Sequence, residues 1–306
     1  MGGVLRVDAE AAAPVRPRPR LRVGRAEPLL WIAPALAVVL FVFGYSFVEL
    51  VRTALRYEGH WTISNIRLTL SDPTFRTAIS HNGRLLIAVP ILVATSLLLA
   101  VLLFEGIRGW RFHRWAIFLP FILPIPVIGV IFGQLLQLNG LLNQLLRALG
   151  LDRLAVDWLG QPRWALWTMT GVIVWKELGF GVVLMLARLL SLPPDTFEAG
   201  RVDGAGFFRL HRYITVPQLS GVIAFYVVVE AITMVSWVFN YVYVMTNGQG
   251  GPGDATQVTE LYIYQTAFQY NAPEIAAAAA TLLFAGTLVL IVLLFRIQRR
   301  AGVLDE

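Results

Sequence analysis

The sequence LPPDTFEAGRVDGAGFFRLHRYITVPQL occupies residues 192–219 and carries signals for two short helices. Pro193 and Pro194 end an incoming helix and favour the first turn of a new one, because proline lacks the N–H that a helix interior needs. Glu198 then lies near the positive end of the new helix dipole. Gly204 is placed to terminate this helix, since glycine readily adopts the left-handed conformation of a helix C-terminus.

Apolar residues after Gly204 continue at helical spacing. Phe207, Leu210 and Ile214 are separated by three and four residues, which indicates a second short amphipathic helix. Pro217 is expected to separate it from the apolar segment that follows. Two short helices hinged at a glycine form a compact knob, which is more typical of a docking element than of a catalytic one.

The chain around this knob is strongly apolar. Of its 306 residues, 57% are apolar and 14% are charged, whereas soluble domains have about 45–50% and about 25%. The apolar residues form blocks of about 20, the length of helix that crosses a bilayer core. We predict an all-α membrane protein with six transmembrane helices, at Leu29–Val48, Leu85–Phe104, Trp115–Leu136, Trp164–Leu186, Val222–Met245 and Ile275–Phe295.

Basic residues indicate how these spans are oriented. With a cytoplasmic amino terminus, sixteen arginines fall in inner segments and eight in outer loops. Because cytoplasmic loops carry the excess of positive residues, both termini are predicted to lie inside. The basic residues adjoin the spans, so nucleic-acid binding is set aside.

The same patterns divide the chain. Residues 1–28 are rich in arginine and proline and predict a disordered cytoplasmic arm. Residues 29–48 predict an uncleaved transmembrane anchor, because the charged region before them is too long for a signal peptide. A core domain of five transmembrane helices at 85–295 includes the cytoplasmic 187–218 loop, and a cytoplasmic tail follows at 296–306.

Several kinds of chemistry are excluded by residue usage. Cysteine is absent, which rules out disulfides and thiol catalysis. The one lysine, Lys176, lies inside the predicted fourth span, so no phosphate-binding loop with a lysine is available and the chain is not expected to hydrolyse ATP itself. No metal-binding pair occurs, and we interpret the four histidines as solvated loop residues: His60, His81, His113 and His211.

Charged residues inside a span need a reason, because they are costly in lipid. Lys176 and Glu177 lie near the middle of the fourth span. Adjacent residues do not face each other on a helix, so each is expected to find water or a partner elsewhere. Two interpretations remain open: the pair lines a pore, or the span is shifted so that Lys176 reaches the outer interface.

The predicted fifth span is the most polar. Six of its residues fall at steps of three and four, which predicts one continuous stripe along a helix face. The stripe is expected to face either a water-filled pathway or a partner helix. Its members are Glu230, Thr233, Met234, Trp237, Asn240 and Tyr241.

The 187–218 loop resembles the cytoplasmic signature of permeases from binding-protein-dependent ABC importers. That signature reads Glu-Ala-Ala, three residues, Gly, nine residues, Ile-x-Leu-Pro. The matching positions here are Glu198, Ala199, Gly204, Ile214 and Pro217, and Asp203-Gly204-Ala205 is similar to the usual Asp-Gly-Ala of the family. The departures are Gly200 for the second alanine, Val216 for the leucine, and Gly221 where many members have proline.

A second resemblance concerns the outer loop. The segment from Met245 to Pro252 is similar to the Met-Thr-x-Gly-Gly-Pro segment of carbohydrate importers, with two residues inserted. Within those importers, the chain resembles the first of the two permease subunits, the maltose and glycerol-phosphate type. The resemblance covers about residues 85–306.

The resemblance implies a type I ABC importer permease fold in the bacterial inner membrane. It implies four kinds of contact: a second homologous permease, two ATPase subunits, an extracytoplasmic solute-binding protein and membrane lipid. ATP and Mg²⁺ would be bound by the ATPase subunits, and no cofactor by this chain. The residues that would couple to the ATPase are Glu198, Ala199, Gly200, Asp203, Gly204, Ala205 and Pro217.

The resemblance also implies a sugar pathway in the spans that match the fourth and fifth here. We select seven residues from the polar faces of these spans as candidates: Glu177, Phe180, Met234, Trp237, Val238, Asn240 and Tyr241. Thr246, Gly251 and Pro252 are candidates for the outer loop near the binding protein. The alternatives are a self-contained carrier that couples to protons through Glu177 or Glu230, and an intramembrane enzyme.

Overall fold

The computed structural model of the protein describes residues 27–300 and residue 302. Most of these residues are helical, as predicted. The described chain divides into two units, one ending at Val48 and one beginning at Glu49. The predicted arm at 1–28, apart from its last two residues, and the tail beyond Arg300, apart from Gly302, lie outside the described residues.

The amino-terminal helix is longer than the predicted anchor. It consists of α1 (Glu27–Val39), a π-helical turn (Leu40–Gly44) and α2 (Tyr45–Ala54). A short hairpin follows, with β1 (Arg56–Tyr57) antiparallel to β2 (His60–Trp61).

The helical region that contains the predicted second span begins before the apolar block at Leu85–Phe104. After α3 (Ser64–Ser71), helix α4 runs over Pro73–Leu85 and is followed by α5 (Ala88–Phe104). The Asp72 carboxyl group accepts hydrogen bonds from the backbone N–H groups of Thr74 (2.7 Å) and Phe75 (3.4 Å). This cap and the proline that follows it explain why the helix starts at Pro73.

The predicted third span is broken, which corrects the single helix expected at Trp115–Leu136. Helices α6 (Trp110–Ile122) and α7 (Ile125–Leu135) meet at an angle of 100°. Leu123 is extended (ψ 138°) because it precedes Pro124, and a residue before proline is disfavoured in the helical region. Two short segments follow, α8 (Leu141–Ala148) and a 3₁₀ turn (Asp152–Leu154).

The fourth span is a single helix and the fifth is not. Helix α9 runs over Pro162–Leu190 and covers the prediction, whereas α13 (Ser220–Ser236) ends before α14 (Phe239–Met245). At the break, the Val238 N–H donates to Glu260 Oε2 (3.2 Å), so an acidic side chain satisfies the start of α14. The predicted continuous stripe on one helix face is therefore wrong, because the helix is interrupted at Trp237.

The remaining elements complete the chain. A 3₁₀ turn (Pro252–Asp254), α15 (Thr259–Tyr264) and a π-helical turn (Gln265–Gln269) precede the last helix, α16 (Pro273–Arg300). The helix α16 contains the predicted sixth span, and it continues through the first five residues of the predicted tail.

The six-span prediction is supported in part. Three of the described helices are long and apolar enough to cross a membrane, namely Trp31–Ala54, Pro73–Phe104 and Pro273–Arg300. Two bent pairs, α6 with α7 and 207–218 with α13, would raise the number to five. Helix α9 is outside this apolar set, and it carries Lys176 and Glu177 at its centre.

The 187–218 loop has the two helical arms expected from its sequence. Helix α10 (Pro194–Val202) forms the first arm, and the second consists of α11 (Phe207–Leu210), a π-helical turn (His211–Thr215) and α12 (Val216–Gln218). Gly204 is left-handed (φ +78°), as a terminator requires.

The break before the membrane segment falls at Leu219, not at Pro217 as predicted. Pro217 is the second residue of α12, which follows the π-helical turn directly, and its missing N–H is tolerated in the first turn of a helix. The second arm and α13 meet at Leu219 with a bend of 70°.

Helices α5, α9 and α13 meet closely at one glycine. A side-chain carbon added at Gly181 of α9 would collide with Ser96 Oγ of α5 and with the ring of Tyr226 of α13. Tyr226 is fully buried, so its ring has no free space into which to move. Glycine at this position therefore allows the three helices to approach.

We expect Gly181→Ala to reduce stability by about 1–3 kcal/mol, as overpacking of a filled core does. The measurement is the Tm of the purified protein in detergent. Gly171→Ala is the matched control on the same helix, since nothing lies within 4 Å of its added carbon. An equal Tm for the two variants would contradict the close approach at Gly181.

Candidate functional site

A buried polar cluster lies at the centre of α9. Glu177 Oε1 accepts a hydrogen bond from the Tyr241 hydroxyl (2.7 Å) and lies 3.3 Å from Lys176 Nζ. All three side chains are buried. Because Tyr241 belongs to α14, the cluster joins the predicted fourth span to the short helix beyond the break in the fifth.

The contact between Lys176 and Glu177 corrects the expectation that adjacent residues need separate partners. Their long side chains bend toward each other, and the Lys176 ammonium also lies 5.2 Å from the centre of the Phe121 ring. Lys176 is 7% exposed. The alternative in which Lys176 reaches the outer interface is therefore wrong.

Glu230 on α13 is a second buried acid near this cluster. It is 1% exposed, and its Oε2 atom has no hydrogen-bond partner among the described residues. It lies close enough to Lys176 and Glu177 for electrostatic interaction. A buried acceptor without a partner is costly, so a proton, a water molecule or a polar solute is needed to satisfy this oxygen.

The seven pathway candidates do not all lie together. Glu177 and Tyr241 are in contact, and the half-buried Phe180 ring lies 5.9 Å from that of Tyr226 near the junction of three helices. Met234 and Val238 are buried in the apolar core, whereas Trp237 and Asn240 are exposed.

The loop candidates divide into an exposed set and a packed one. Glu198, Ala199, Asp203, Gly204 and Pro217 are exposed, while Ala205 is partly buried. Gly200 is buried because it faces the other arm: a side-chain carbon added there would lie 2.6 Å from Ile214 Cδ1 and 2.8 Å from Leu210 Cδ1. This packing gives a physical reason for glycine where the signature has alanine.

The outer-loop candidates form a turn held by polar contacts. The Thr246 hydroxyl donates to the Val242 carbonyl (2.7 Å) and accepts from the Gly250 N–H (3.2 Å). Gly251 is left-handed (φ +78°), and Pro252 begins the short 3₁₀ turn. All three candidates are partly buried.

Two buried polar residues of α4, which the sequence did not assign to the site, contact the segment that follows this turn. Asn82 of α4 accepts from the Thr259 N–H and hydroxyl (both 2.9 Å) and donates to the Met234 and Val235 carbonyls. His81 Nδ1 lies 2.8 Å from the Gln257 carbonyl. His81 and His211 are buried, so their interpretation as solvated loop residues is wrong. The helical spacing of Phe75, Ala78, Asn82 and Leu85 was an available signal.

Among the residues that the structure describes, no group of three or more His, Cys, Asp or Glu side chains is arranged to hold a metal ion.

Comparison with known families gives a match over residues 73–302 to the inner membrane components of binding-protein-dependent transport systems. The chain belongs to this family. The match includes the 187–218 loop, the buried cluster on α9 and the outer loop, so the resemblance found in the sequence is confirmed.

Members of the family with curated names are similar over most of the chain. The probable ABC transporter permease YurN of Bacillus subtilis is 33% identical, over 86% of this chain and 92% of its own. The lactose transport system permease LacF of Rhizobium radiobacter is 28% identical, over 79% and 83%.

A solved structure has the same fold. It is a chain of a bacterial alginate ABC transporter in complex with a periplasmic protein bound to an alginate pentasaccharide, with a TM-score of 0.78 and 22% identity. The match covers 91% of this chain and 96% of that chain. The permease fold of the family is therefore present here.

We expect Tyr241→Phe to weaken the contact between α9 and α14, because it removes the hydroxyl donor from buried Glu177. Loss of a hydrogen bond to a charged group costs about 1.5–3 kcal/mol. The Tm in detergent measures this effect. Tyr270→Phe is the control, since the Tyr270 side chain is 69% exposed, and equal Tm values for the two variants would contradict the role of the hydroxyl.

Proposed function

We propose that this chain is the transmembrane permease subunit of an ATP-driven, binding-protein-dependent ABC importer for a sugar or sugar-like solute. The observation that carries the proposal is the two-armed 187–218 loop, which exposes Glu198 and Ala199 at the signature positions of the family. An exposed acid on a short helix is available to a partner protein, whereas a residue of the chain's own core is not.

The solute class is proposed from the relatives and from the side chains of the site. One relative transports lactose, and the structural neighbour imports alginate. The buried cluster offers a carboxyl group, an ammonium group and a tyrosine, and aromatic residues such as Phe180 adjoin it. Hydroxyl-bearing rings suit such a mixture of hydrogen-bonding and stacking groups.

The proposed assembly contains a second homologous permease, two ATPase subunits and an extracytoplasmic solute-binding protein in a bacterial inner membrane. Six spans with both termini in the cytoplasm bring the 187–218 loop to the ATPase side, in agreement with the arginine distribution. ATP and Mg²⁺ are bound by the ATPase subunits. This chain is a non-catalytic transport subunit that binds neither cofactor nor nucleic acid.

We assign roles to the candidate residues on this basis. The exposed candidates of the 187–218 loop dock on an ATPase subunit, namely Glu198, Ala199, Asp203, Gly204 and Pro217. Glu177, Tyr241 and the unsatisfied oxygen of Glu230 contribute to the solute pathway, whereas the buried Met234 and Val238 line it only if the surrounding helices move. The turn from Thr246 to Pro252 faces the binding protein.

We expect Glu198→Lys to abolish solute uptake while the subunit still inserts in the membrane. The charge reversal replaces an exposed acid at the docking surface, where like charges repel a complementary partner. Uptake of labelled lactose and other oligosaccharides by cells measures transport, and membrane-fraction immunoblotting measures insertion. Glu274→Lys, the same change in the first turn of α16, is the control. Normal uptake by Glu198→Lys would contradict the coupling role.

A proton-coupled secondary carrier is the second candidate, and the unpartnered Glu230 oxygen favours it. A buried acid that gains and loses a proton is a common element of such carriers. Uptake by vesicles that contain this chain alone, driven by a pH gradient without ATP, would support the carrier and contradict the importer subunit.

A further inference from the structure

Glu105, the residue that follows α5, contacts both arms of the 187–218 loop. Its two carboxyl oxygens lie 3.0 and 3.1 Å from Arg201 Nη2. Its Oε1 atom also lies 3.4 Å from His211 Nε2. Arg201 is on α10 and His211 is on the second arm, so the left-handed residue Gly204 lies between the two contacts along the chain.

The surroundings of Glu105 fix the geometry of these contacts. His211 is buried, and its other ring nitrogen lies 2.8 Å from the Thr215 hydroxyl. The Phe104 ring packs on that of Phe197 in α10, with 5.0 Å between ring centres. The end of α5 is thus joined to the first arm by an apolar contact as well as by the ion pair.

The loop reaches the helix bundle by three routes, and only two of them are covalent. Its first arm continues from α9, and its second continues into α13 through the bend at Leu219. The third route runs to the end of α5 through Glu105 and through the contact of Phe104 with Phe197. Helix α5 packs along α9, and Ser96 of α5 lies against Gly181, one turn from the buried acid of the α9 cluster.

We propose that Glu105 is a positioning residue that holds the two arms of the 187–218 loop as one body and joins that body to α5. The inference rests on the proposed function of the loop. When a docked partner displaces α10, α5 and α9 then move with it, and this movement reaches the polar cluster at Glu177. Without Glu105, the arms keep their apolar contact at Gly200 but lose the charged connection to α5, so less of the displacement reaches α5.

The Arg201–Glu105 ion pair is partly exposed to solvent, so its effect on coupling can be measured separately from its effect on folding stability. The Arg201 side chain is 52% exposed and that of Glu105 is 25% exposed. Ion pairs exposed to this extent contribute about 0–1 kcal/mol to folding. Variants of the pair are therefore expected to fold and assemble, so their effect on coupling is measurable.

The test uses the complex of this chain with its second permease and ATPase subunits, reconstituted in lipid nanodiscs with MgATP. The solute-binding protein is added with the solute that it retains on purification. The variants are Arg201→Glu, Glu105→Arg and the double charge exchange. Arg108→Glu is the control, because Arg108 is an exposed residue between Glu105 and α6 and has no ion-pair partner among the described residues. Basal ATPase activity, stimulated ATPase activity and complex yield are measured for each.

Each single variant is expected to lose about tenfold of the stimulation by the binding protein, a typical coupling free energy, while basal activity and complex yield stay unchanged. The double exchange restores stimulation, and Arg201→Lys, which keeps the charge, retains most of it. Arg108→Glu stays within about twofold of the natural protein, as an unpaired surface charge should.

Three results would overturn the inference. Full stimulation in the single variants would show that Glu105 does not act in coupling. Failure of the double exchange to restore stimulation would show that the two residues act on different partners. Loss of assembled complex in the single variants would assign the pair to stability alone. By contrast, an unaltered complex that fails to hydrolyse ATP in response to the binding protein would contradict the proposed function itself.

Discussion

A carboxyl group buried at the centre of an apolar helix requires donors, and this requirement shapes the middle of the molecule. Glu177 obtains its donors from Lys176 and Tyr241. The tyrosine is in position only because the chain breaks after α13 and starts again as α14. The break leaves backbone N–H groups without helical partners, and Glu260 satisfies one of them. The donor to Glu177 therefore depends on the broken span, and Glu260 in turn stabilises the break.

Close helix packing surrounds this polar centre. Glycine at position 181 brings α9 within contact of Ser96 and Tyr226, so the three helices around the cluster pack closely. The Glu230 carboxyl group lies in the same region, and one of its oxygens has no hydrogen-bond partner in the part of the chain that the structure describes. Closely packed apolar helices thus surround a polar oxygen that can still accept a hydrogen bond. This combination is expected where a polar solute passes through a membrane protein.

The 187–218 loop and the outer loop are connected to this frame in different ways. The outer loop is fastened by hydrogen bonds from Asn82 and His81 to residues more than 150 positions away in the chain. The 187–218 loop is fastened by two covalent connections and by the charged contact at Glu105. Residues that the loop presents outward, such as Glu198, remain free for a partner, while Gly200 faces inward and allows the arms to pack.

The sequence by itself determined the features that depend on neighbouring residues. The apolar blocks, the two helical arms and the left-handed Gly204 follow from composition, spacing and proline or glycine chemistry, which act within a few positions. The family was indicated by the resemblance of the 187–218 loop to a known signature. The bend before Pro124 was not predicted, although its cause is local, since proline restricts the residue before it.

Only the tertiary structure decided which distant groups meet. The break at Trp237, the burial of His81 and His211, the contact of Glu177 with Tyr241 and the contacts of Glu105 depend on partners that lie between 22 and 176 residues away in the chain. Periodicity assigns a side chain to a face of its own helix, but it carries no information about which helix packs there. The free energy of a buried polar group depends on the side chains of the helix that packs against it, so its hydrogen-bond partner is decided by the tertiary structure.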